Sequence, residues 1–582
     1  MELRKRRYSY EKELAISFIA SEMGLTLSLL PRFSILPSMG APGHEAEREI
    51  IRASKTNLDA RSPSQSGTVG EAQDQTGALP VGFARGLVIT LACTLAMVNN
   101  IMSGASISIA LPDIGKDLDI SQADLQWLVS AYSLTSGCFL LLFGRLADLF
   151  GRKKGFLIGN LWFLAWAIGC GFAPNAISLD VMRALQGMGA AATIPSAVGI
   201  LAHEFPPSVA RSVAFATFSA GAPLGGAIGF VIGGLMTEYT SVRWRGIFYV
   251  SAGLAALTII AAILGIHKDK PSEEQDRRID WIGAFLSTTA LVLLTFSLAQ
   301  SSSAKDGWRT PYIPVILVIS VLLLGCFIYW EHYLETHTSR PPLMRLGLWA
   351  RAKGKFSAVQ LIVFFNWSCF TTWQFFVTLY YQEYLGLSPI DTTIRLLPMS
   401  VSGLLCNLVI ALFIGRISGT VLIGVGCFFT GLAALLFAVI KPSVTYWAFG
   451  FPAATVVVFG ADFMFATGSI FVAKVALPHE QSLAGGVFNT LNQLGTAFGL
   501  AIASVVNDSV HRKALRESGD ELGSLLRGYR AAFWTCFGFG MAALALTLIF
   551  LRGIGIVGHQ TKAGGEDDRR SKEKGGSIDI VS

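Results

Sequence analysis

Apolar segments of about 20 residues, each with few or no charges, recur along most of this 582-residue chain. That length is what an α-helix needs to cross the hydrocarbon of a bilayer, at about 1.5 Å per residue over roughly 30 Å. A soluble core has no use for so regular a repeat. Inside lipid every backbone N–H and C=O must find its partner within the protein, which leaves helices or closed barrels. Composition agrees: 52% of residues are hydrophobic and 15% charged, against about 25% charged in an average soluble chain. The mean hydropathy is +0.53. The chain reads as an all-α integral membrane protein.

Fourteen spans emerge, near 87–110, 124–144, 155–173, 177–202, 211–237, 246–266, 281–300, 313–334, 356–384, 391–415, 418–440, 445–474, 483–507 and 529–552. Once the longer segment 508–530 is set apart, the Lys and Arg of the short loops gather on the side of the N-terminus. This places both termini in the cytoplasm and makes 508–530 an outside loop, with Asn507 of "NDS" a candidate glycosylation acceptor. Residues 34–80 and 556–582 have the composition of disordered tails. The stretch 14–30, after "RKRR", could be a signal anchor, an interfacial helix or an artefact of the gene start; it is read as non-spanning.

Other classes find little support. The net charge is +7, yet no basic stripe with interleaved aromatics marks a nucleic-acid partner. All eight cysteines lie in apolar segments without CxxC spacing, which suits small core residues and no metal site. No nucleophile–base pair stands out, and no GxxxxGK[ST] phosphate loop occurs. An enzyme is not expected, nor a cofactor.

One polar cluster interrupts the apolar runs: "GRLADLFGRKK", 144–154. Gly144 and Gly151 allow close packing and a tight turn, and Asp148 faces Arg145, Arg152, Lys153 and Lys154. The alternative is a plain basic loop obeying the positive-inside rule. The order of Gly, Asp and Gly resembles the signature of the major facilitator superfamily. "RALQGMGAA", 183–191, resembles the same family's fourth-span motif, and "DWIGA", 280–284, with the pair of spans that follows separates the first six spans from the last six. The likeness covers about residues 86–552. It implies the major-facilitator fold, two six-helix bundles plus two extra central helices, 14 transmembrane helices in all. The divisions are then a tail 1–85, a bundle 86–266, a linker 267–355 with two helices, a bundle 356–552 and a tail 553–582. The 6+2+6 plan and "QSLAGGVFNTLNQLGTAFGLAI", 481–502, look like the drug:proton antiporter branch. The resemblance further implies that Gly144, Asp148, Gly151 and Arg152 form a conformational latch between the bundles. Arg183, a cation within a span, faces a cavity, a partner or the near interface.

The chain also departs from that branch. Aligned on "ISIALP", 107–112, it has Ser103 where many relatives carry an Asp. In "GFVIGG", 229–234, Phe230 stands where relatives have Pro. "GAPLGGAIG" supplies Pro223 earlier, and Gly221, Gly225 and Gly229 repeat every four residues, a smooth face for helix packing that Gly233 continues. "GAPLGG" with "WRGIFYV" looks most like a fungal subgroup linked to aminotriazole and boron resistance, with members assigned to low-affinity ammonium transport. "GRISG", 415–419, occupies the latch position of the second half without its Asp.

Polar residues on single helical faces mark a candidate substrate site: Asn99, Ser103 and Ser106 in the first span, Asn366, Trp373 and Gln374 in the ninth, Asn489, Asn492, Gln493 and Thr496 in the thirteenth. Interhelical hydrogen bonding is the plainer reading of each stripe. Asp462 lies deep in "VVVFGADFMFATGS" with no cation within two turns. Such an acid can carry a proton across, with Arg183 the cation it could pair with; it could also serve only as a hydrogen-bond donor. Proton coupling is therefore assigned to Asp462 and Arg183.

The sequence thus reads as a secondary active transporter, a proton-coupled exporter of small drug-like or toxic compounds. Its partners are a small-molecule substrate, protons and membrane lipid, and it is expected to be a monomer in the plasma or vacuolar membrane. Uptake or facilitated diffusion of a small polar solute such as ammonium or borate is the alternative, and a non-transporting membrane sensor a further one.

Overall fold

A computed structural model describes residues 82–556, apart from 122–123, 206–208, 270–277, 305–306, 339, 341 and 478–480. The stretch 14–30 and both expected tails lie outside the described residues. Among the described residues fourteen long helices follow one another: α1 Phe83–Asp117, α2 Trp127–Phe150, α3 Arg152–Gly171, α4 Ala176–Glu204, α5 Val209–Tyr239, α6 Arg245–Gly265, α7 Trp281–Ser303, α8 Tyr312–His337, α9 Lys355–Leu379, α10 Pro389–Phe413, α11 Gly419–Ala438, α12 Tyr446–Val475, α13 Gln481–Ser518 and α14 Glu521–Phe550. Each coincides with one expected span.

Local chemistry sets the ends. Asn175, Asp280 and Ser388 cap α4, α7 and α10 by accepting backbone N–H groups of Ser178, Gly283 and Asp391. Gly151, at φ 120°, is the single residue between α2 and α3. A π-turn, Tyr380–Tyr384, carries α9 one turn further.

The expected outside loop 508–530 is a correction. α13 runs on to Ser518 and α14 starts at Glu521, with the reversal made at Gly519, φ 63°. Asn507 is 2% exposed within α13, so it cannot receive a glycan in this fold.

Eleven of these helices are long and apolar enough to cross a membrane by length and composition; α3, α9 and α13 fall outside that set. Two of the three carry the polar stripes noted above, and α3 opens on Arg152, Lys153 and Lys154.

Helix packing repeats itself. In the first half α1 packs on α4, α5 and α6, α2 on α4, and α3 on α4 and α6. In the second half α9 packs on α12, α13 and α14, α10 on α12, and α11 on α12 and α14. A shift of eight helices converts one scheme into the other. Two cross-seams join the halves, α2 with α13 and α5 with α10, and they exchange under the same shift. The two extra helices are central in the chain but peripheral in space. α7 packs on α2, α13 and α8, while α8 exposes Val315, Val318, Val321, Leu322 and Ile328, as a lipid-facing helix does.

The apolar cores show which end is shut. One cluster draws on both halves, joining Ile107, Ile109, Leu111 and Ile114 of α1 to Trp373, Phe376 and Leu379 of α9 and to Phe437 and Phe533. At the opposite end each half keeps its own core: Ile89, Cys93, Phe156 and Leu201 in the first, Phe356, Ile362, Phe471 and Phe488 in the second. α1 and α9 touch, whereas α4 and α12 show no comparable packing among the described residues. The bundle is closed at the end where α1 finishes.

Candidate functional site between the two bundles

Arg183 of α4 is 1% exposed. Its Nε donates to Leu128 O at 3.1 Å, and Nη1 donates to Ser103 Oγ at 3.0 Å and Gln186 Oε1 at 2.7 Å. The guanidinium lies 4.4 Å from the centre of the Tyr132 ring, whose hydroxyl donates to Asn100 Oδ1 at 2.8 Å. A buried cation is tolerable when partners compensate it, and here a backbone carbonyl, a hydroxyl, an amide oxygen and a ring share that task. Asn99 extends the polar layer to α6, exchanging hydrogen bonds with Ser251 at 3.0 and 2.9 Å. A pocket of about 10 Å³ borders Asn99, Asn100, Asn160 and Thr193, room for about one water.

Asp462 of α12 is half-buried. Its Oδ2 accepts from Asn407 Nδ2 of α10 at 3.2 Å. Beside it stands Gly403, where an added β-carbon would lie 3.4 Å from Asp462 Oδ2 and 3.3 Å from Pro223 Cβ. The carboxyl therefore sits one glycine away from the α5–α10 seam. Nothing in the structure pairs it with Arg183, which belongs to the other half and has Asp180, one turn before it, as its acidic neighbour.

The glycine face of α5 meets α1 backbone to backbone. β-Carbons at Gly225, Gly229 and Gly233 would lie 2.6 Å from Val98 O, 2.9 Å from Met102 O and 2.7 Å from Ser106 O. Ser106 Oγ donates to Gly229 O at 2.9 Å. The second half repeats the device: Gly495 and Gly499 of α13 press on Phe364 O and Ser368 O, and Ser368 Oγ donates to Gly495 O at 2.8 Å. Phe230, fully buried, joins the shared core while its carbonyl accepts from Thr393 of α10 at 3.0 Å.

The stripes of α9 and α13 divide. Asn366 donates to Gly460 O of α12 at 3.0 Å. Trp373 packs edge-on against Phe437 at 5.4 Å, inside the second half, and Gln374 is half-buried. Asn489 bonds to Gly485 O of its own helix, Asn492 keeps a buried Oδ1 without a donor, and Gln493 reaches Ser136 of α2 at 3.5 Å. Thr490, next to Asn489 of the expected stripe, ties the same seam through Gly137 O at 3.2 Å.

At the end opposite the shared core, Arg152 Nε pairs with Asp148 Oδ1 at 3.0 Å and Nη1 reaches Gly199 O at 3.3 Å. Gly144 faces Pro195 of α4. Asp269, which sequence reasoning missed, caps α3 by accepting Lys153 N at 2.8 Å and Lys154 N at 3.1 Å. Gly151 leaves the space that carboxylate fills: a β-carbon there would lie 2.3 Å from Asp269 Oδ2. These bonds join α2, α3, α4 and the end of α6, all of the first half. Tyr132 and Asn407 were missed too. Neither carries a local signal, since each matters only through a residue on another helix.

Two repeated six-helix sets, closed together at one end and holding a buried cation and a separate carboxyl at mid-depth, define a helical membrane transporter. The chain belongs to the Major Facilitator Superfamily, whose family profile matches residues 93–500. It is 31% identical to the puromycin resistance protein pur8 of Streptomyces alboniger, over 80% of this chain and 90% of that one. It is 26% identical to the efflux pump terJ of Aspergillus terreus, over 88% and 93%, and 28% identical to a low affinity ammonium transporter of Saccharomyces cerevisiae, over 74% and 82%. Among solved structures, a bacterial homologue of the human lysosomal transporter Spinster shares the fold, with a TM-score of 0.57 at 15% identity over 81% of this chain and 98% of that one.

Proposed function

We propose that this transporter is a proton-driven exporter of small drug-like or toxic compounds, working by alternating access across fourteen spanning helices with both termini in the cytoplasm. The observation that carries this reading is the placement of Asp462. Its carboxyl is held by Asn407 beside Gly403, on the α5–α10 seam that joins the halves and close to Pro223 of the opposite half. Gaining or losing a proton there changes the charge next to a surface on which the halves must slide, so proton movement and rocking are linked. With this orientation the closed end faces outward and the end where each half keeps its own core faces the cytoplasm, the side from which cargo for export would load. The polar, uncharged groups of α9 and α13, Gln374, Asn489 and Asn492, would meet that cargo, while the Asp148–Arg152 pair steadies the cytoplasmic end. The names of the efflux and resistance relatives support the direction.

A second reading, uptake or facilitated diffusion of a small polar solute such as ammonium, is favoured by the likeness to the yeast ammonium transporter. The two separate in sealed vesicles carrying wild type or Asp462→Asn, with and without an imposed pH gradient, challenged with a panel of drugs, borate and ammonium. Gradient-driven drug movement that Asp462→Asn abolishes, with passive exchange surviving, supports the exporter. Ammonium or borate flux indifferent to gradient and variant supports the second reading.

A further inference from the structure

The α7–α8 hairpin holds two acids that the central site does not use. Asp280 opens α7, and its Oδ1 accepts from Gly283 N and Trp330 Nε1, both at 2.9 Å. Glu331 of α8 has no solvent exposure, and its Oε2 accepts from Met344 N at 3.2 Å. The two remaining oxygens, Asp280 Oδ2 and Glu331 Oε1, are both buried, and no N–H or O–H donor among the described residues reaches either. They converge over Gly283: a β-carbon placed there would lie 2.0 Å from the first and 2.7 Å from the second.

Two carboxylate oxygens that meet without a donor repel when both groups are ionised, and join in a short O–H···O⁻ bond when one proton lies between them. Among the described residues no salt bridge is made to either acid. The other charged group acting on Glu331 is Glu335, a turn further along α8, whose Oε1 accepts from Leu346 N at 2.7 Å. Met344, which Glu331 holds, lies in an apolar cluster to which α2 contributes Leu141 and Leu142 and α13 contributes Val487 and Leu491. Arg278 and Arg345 flank the pair along the chain and have partners of their own.

We propose that Asp280 and Glu331 together bind one proton at a site outside the central cavity, and that this proton fastens the α7–α8 hairpin and residues 343–349 onto α2 and α13. Glu331 holds the segment directly through Met344 N, and Glu335, a turn further along α8, holds it through Leu346 N. The segment in turn packs with Ala284, Phe327 and Val487 against the α2–α13 seam. Removing the proton leaves two buried anions in contact, so the hairpin shifts to admit water and its hold on that seam loosens. The extra helices thereby make the seam between the halves sensitive to pH.

The test uses the full chain in lipid nanodiscs with Asp462→Asn as parent, so its outcome does not depend on whether Asp462 couples transport. Infrared difference spectra between about pH 5 and about pH 9 count protonated carboxyls, and amide hydrogen exchange follows residues 343–349. The parent is expected to show a carboxyl signal that Glu331→Gln removes. Exchange at 343–349 should rise by about fivefold with pH in the parent and stay level in the variant. Asp280→Asn keeps an oxygen for Gly283 N and gives the same comparison should Glu331→Gln not fold. A carboxyl signal unchanged in both variants, or exchange at 343–349 indifferent to pH in the parent, overturns the proposal.

Discussion

Asn407 of α10 donates its amide to Asp462 Oδ2 of α12 at 3.2 Å, fastening a carboxyl beside Gly403, where an added β-carbon would lie 3.3 Å from Pro223 Cβ of the opposite half. Sequence singles out Asp462 but not Asn407. Together they give the second half a protonatable group at the α5–α10 seam.

The first prediction concerns that pair. Asp462→Asn should lower gradient-driven transport by more than about tenfold while leaving solute exchange across the membrane within about twofold. Asn407→Ala, which keeps the acid and removes its donor, should slow transport by about threefold. Vesicle flux against counterflow exchange separates the two outcomes; equal losses in both assays would remove Asp462 from the coupling role.

Arg183 makes a second case. Lysine keeps the charge but cannot reach Leu128 O, Ser103 and Gln186 together or lie flat on Tyr132. Arg183→Lys should cost about 2 kcal/mol of stability and depress transport at least about tenfold. Thermal unfolding in detergent with parallel flux assays measures both. An unchanged melting temperature would show that the network is not structural.

The seam between α1 and α5 distinguishes neighbouring glycines. Gly229→Val would drive methyl groups into Met102 O and Ala105, whereas nothing lies within 4 Å of a β-carbon at Gly226. The first change should destabilise by at least about 2 kcal/mol and the second by less than about 0.5. Expression level and unfolding temperature of the two variants decide it.

The closed end should be lockable. A β-carbon at Gly234 of α5 lies 2.6 Å from Thr393 Oγ1 of α10, within the reach of a disulfide. In a Cys326→Ser background, which removes the one exposed thiol, Gly234→Cys with Thr393→Cys should cross-link on mild oxidation and arrest transport until reduced. Full transport by the cross-linked protein would mean that this end does not open.

Asp269 offers a purely structural test. Asp269→Ala strips the cap from α3 and should cost about 1 kcal/mol, with Asp269→Asn recovering part of it. Thermal unfolding of the three proteins gives the comparison, and equal melting temperatures would deny the cap its role.

What the sequence determined by itself is what depends on near neighbours. Runs of about 20 apolar residues gave all fourteen helices their places, Arg183 and Gln186 fall three apart on one helical face, and the glycines of α5 recur every fourth residue. Each is a periodicity inside one element. The same reasoning missed that 508–530 is helical, because charges there looked like a loop although α13 carries them beyond the apolar stretch. Tertiary structure alone decided which faces meet. Ser103 met Arg183 across 80 residues, Asp462 met Asn407 across 55, and Trp373 turned into the aromatic core of its own half. Asp280 and Glu331 converged because two helices joined by a short reversal packed side by side. Hydrogen bonds and close packing between helices follow three-dimensional proximity, which spacing along one helix does not encode.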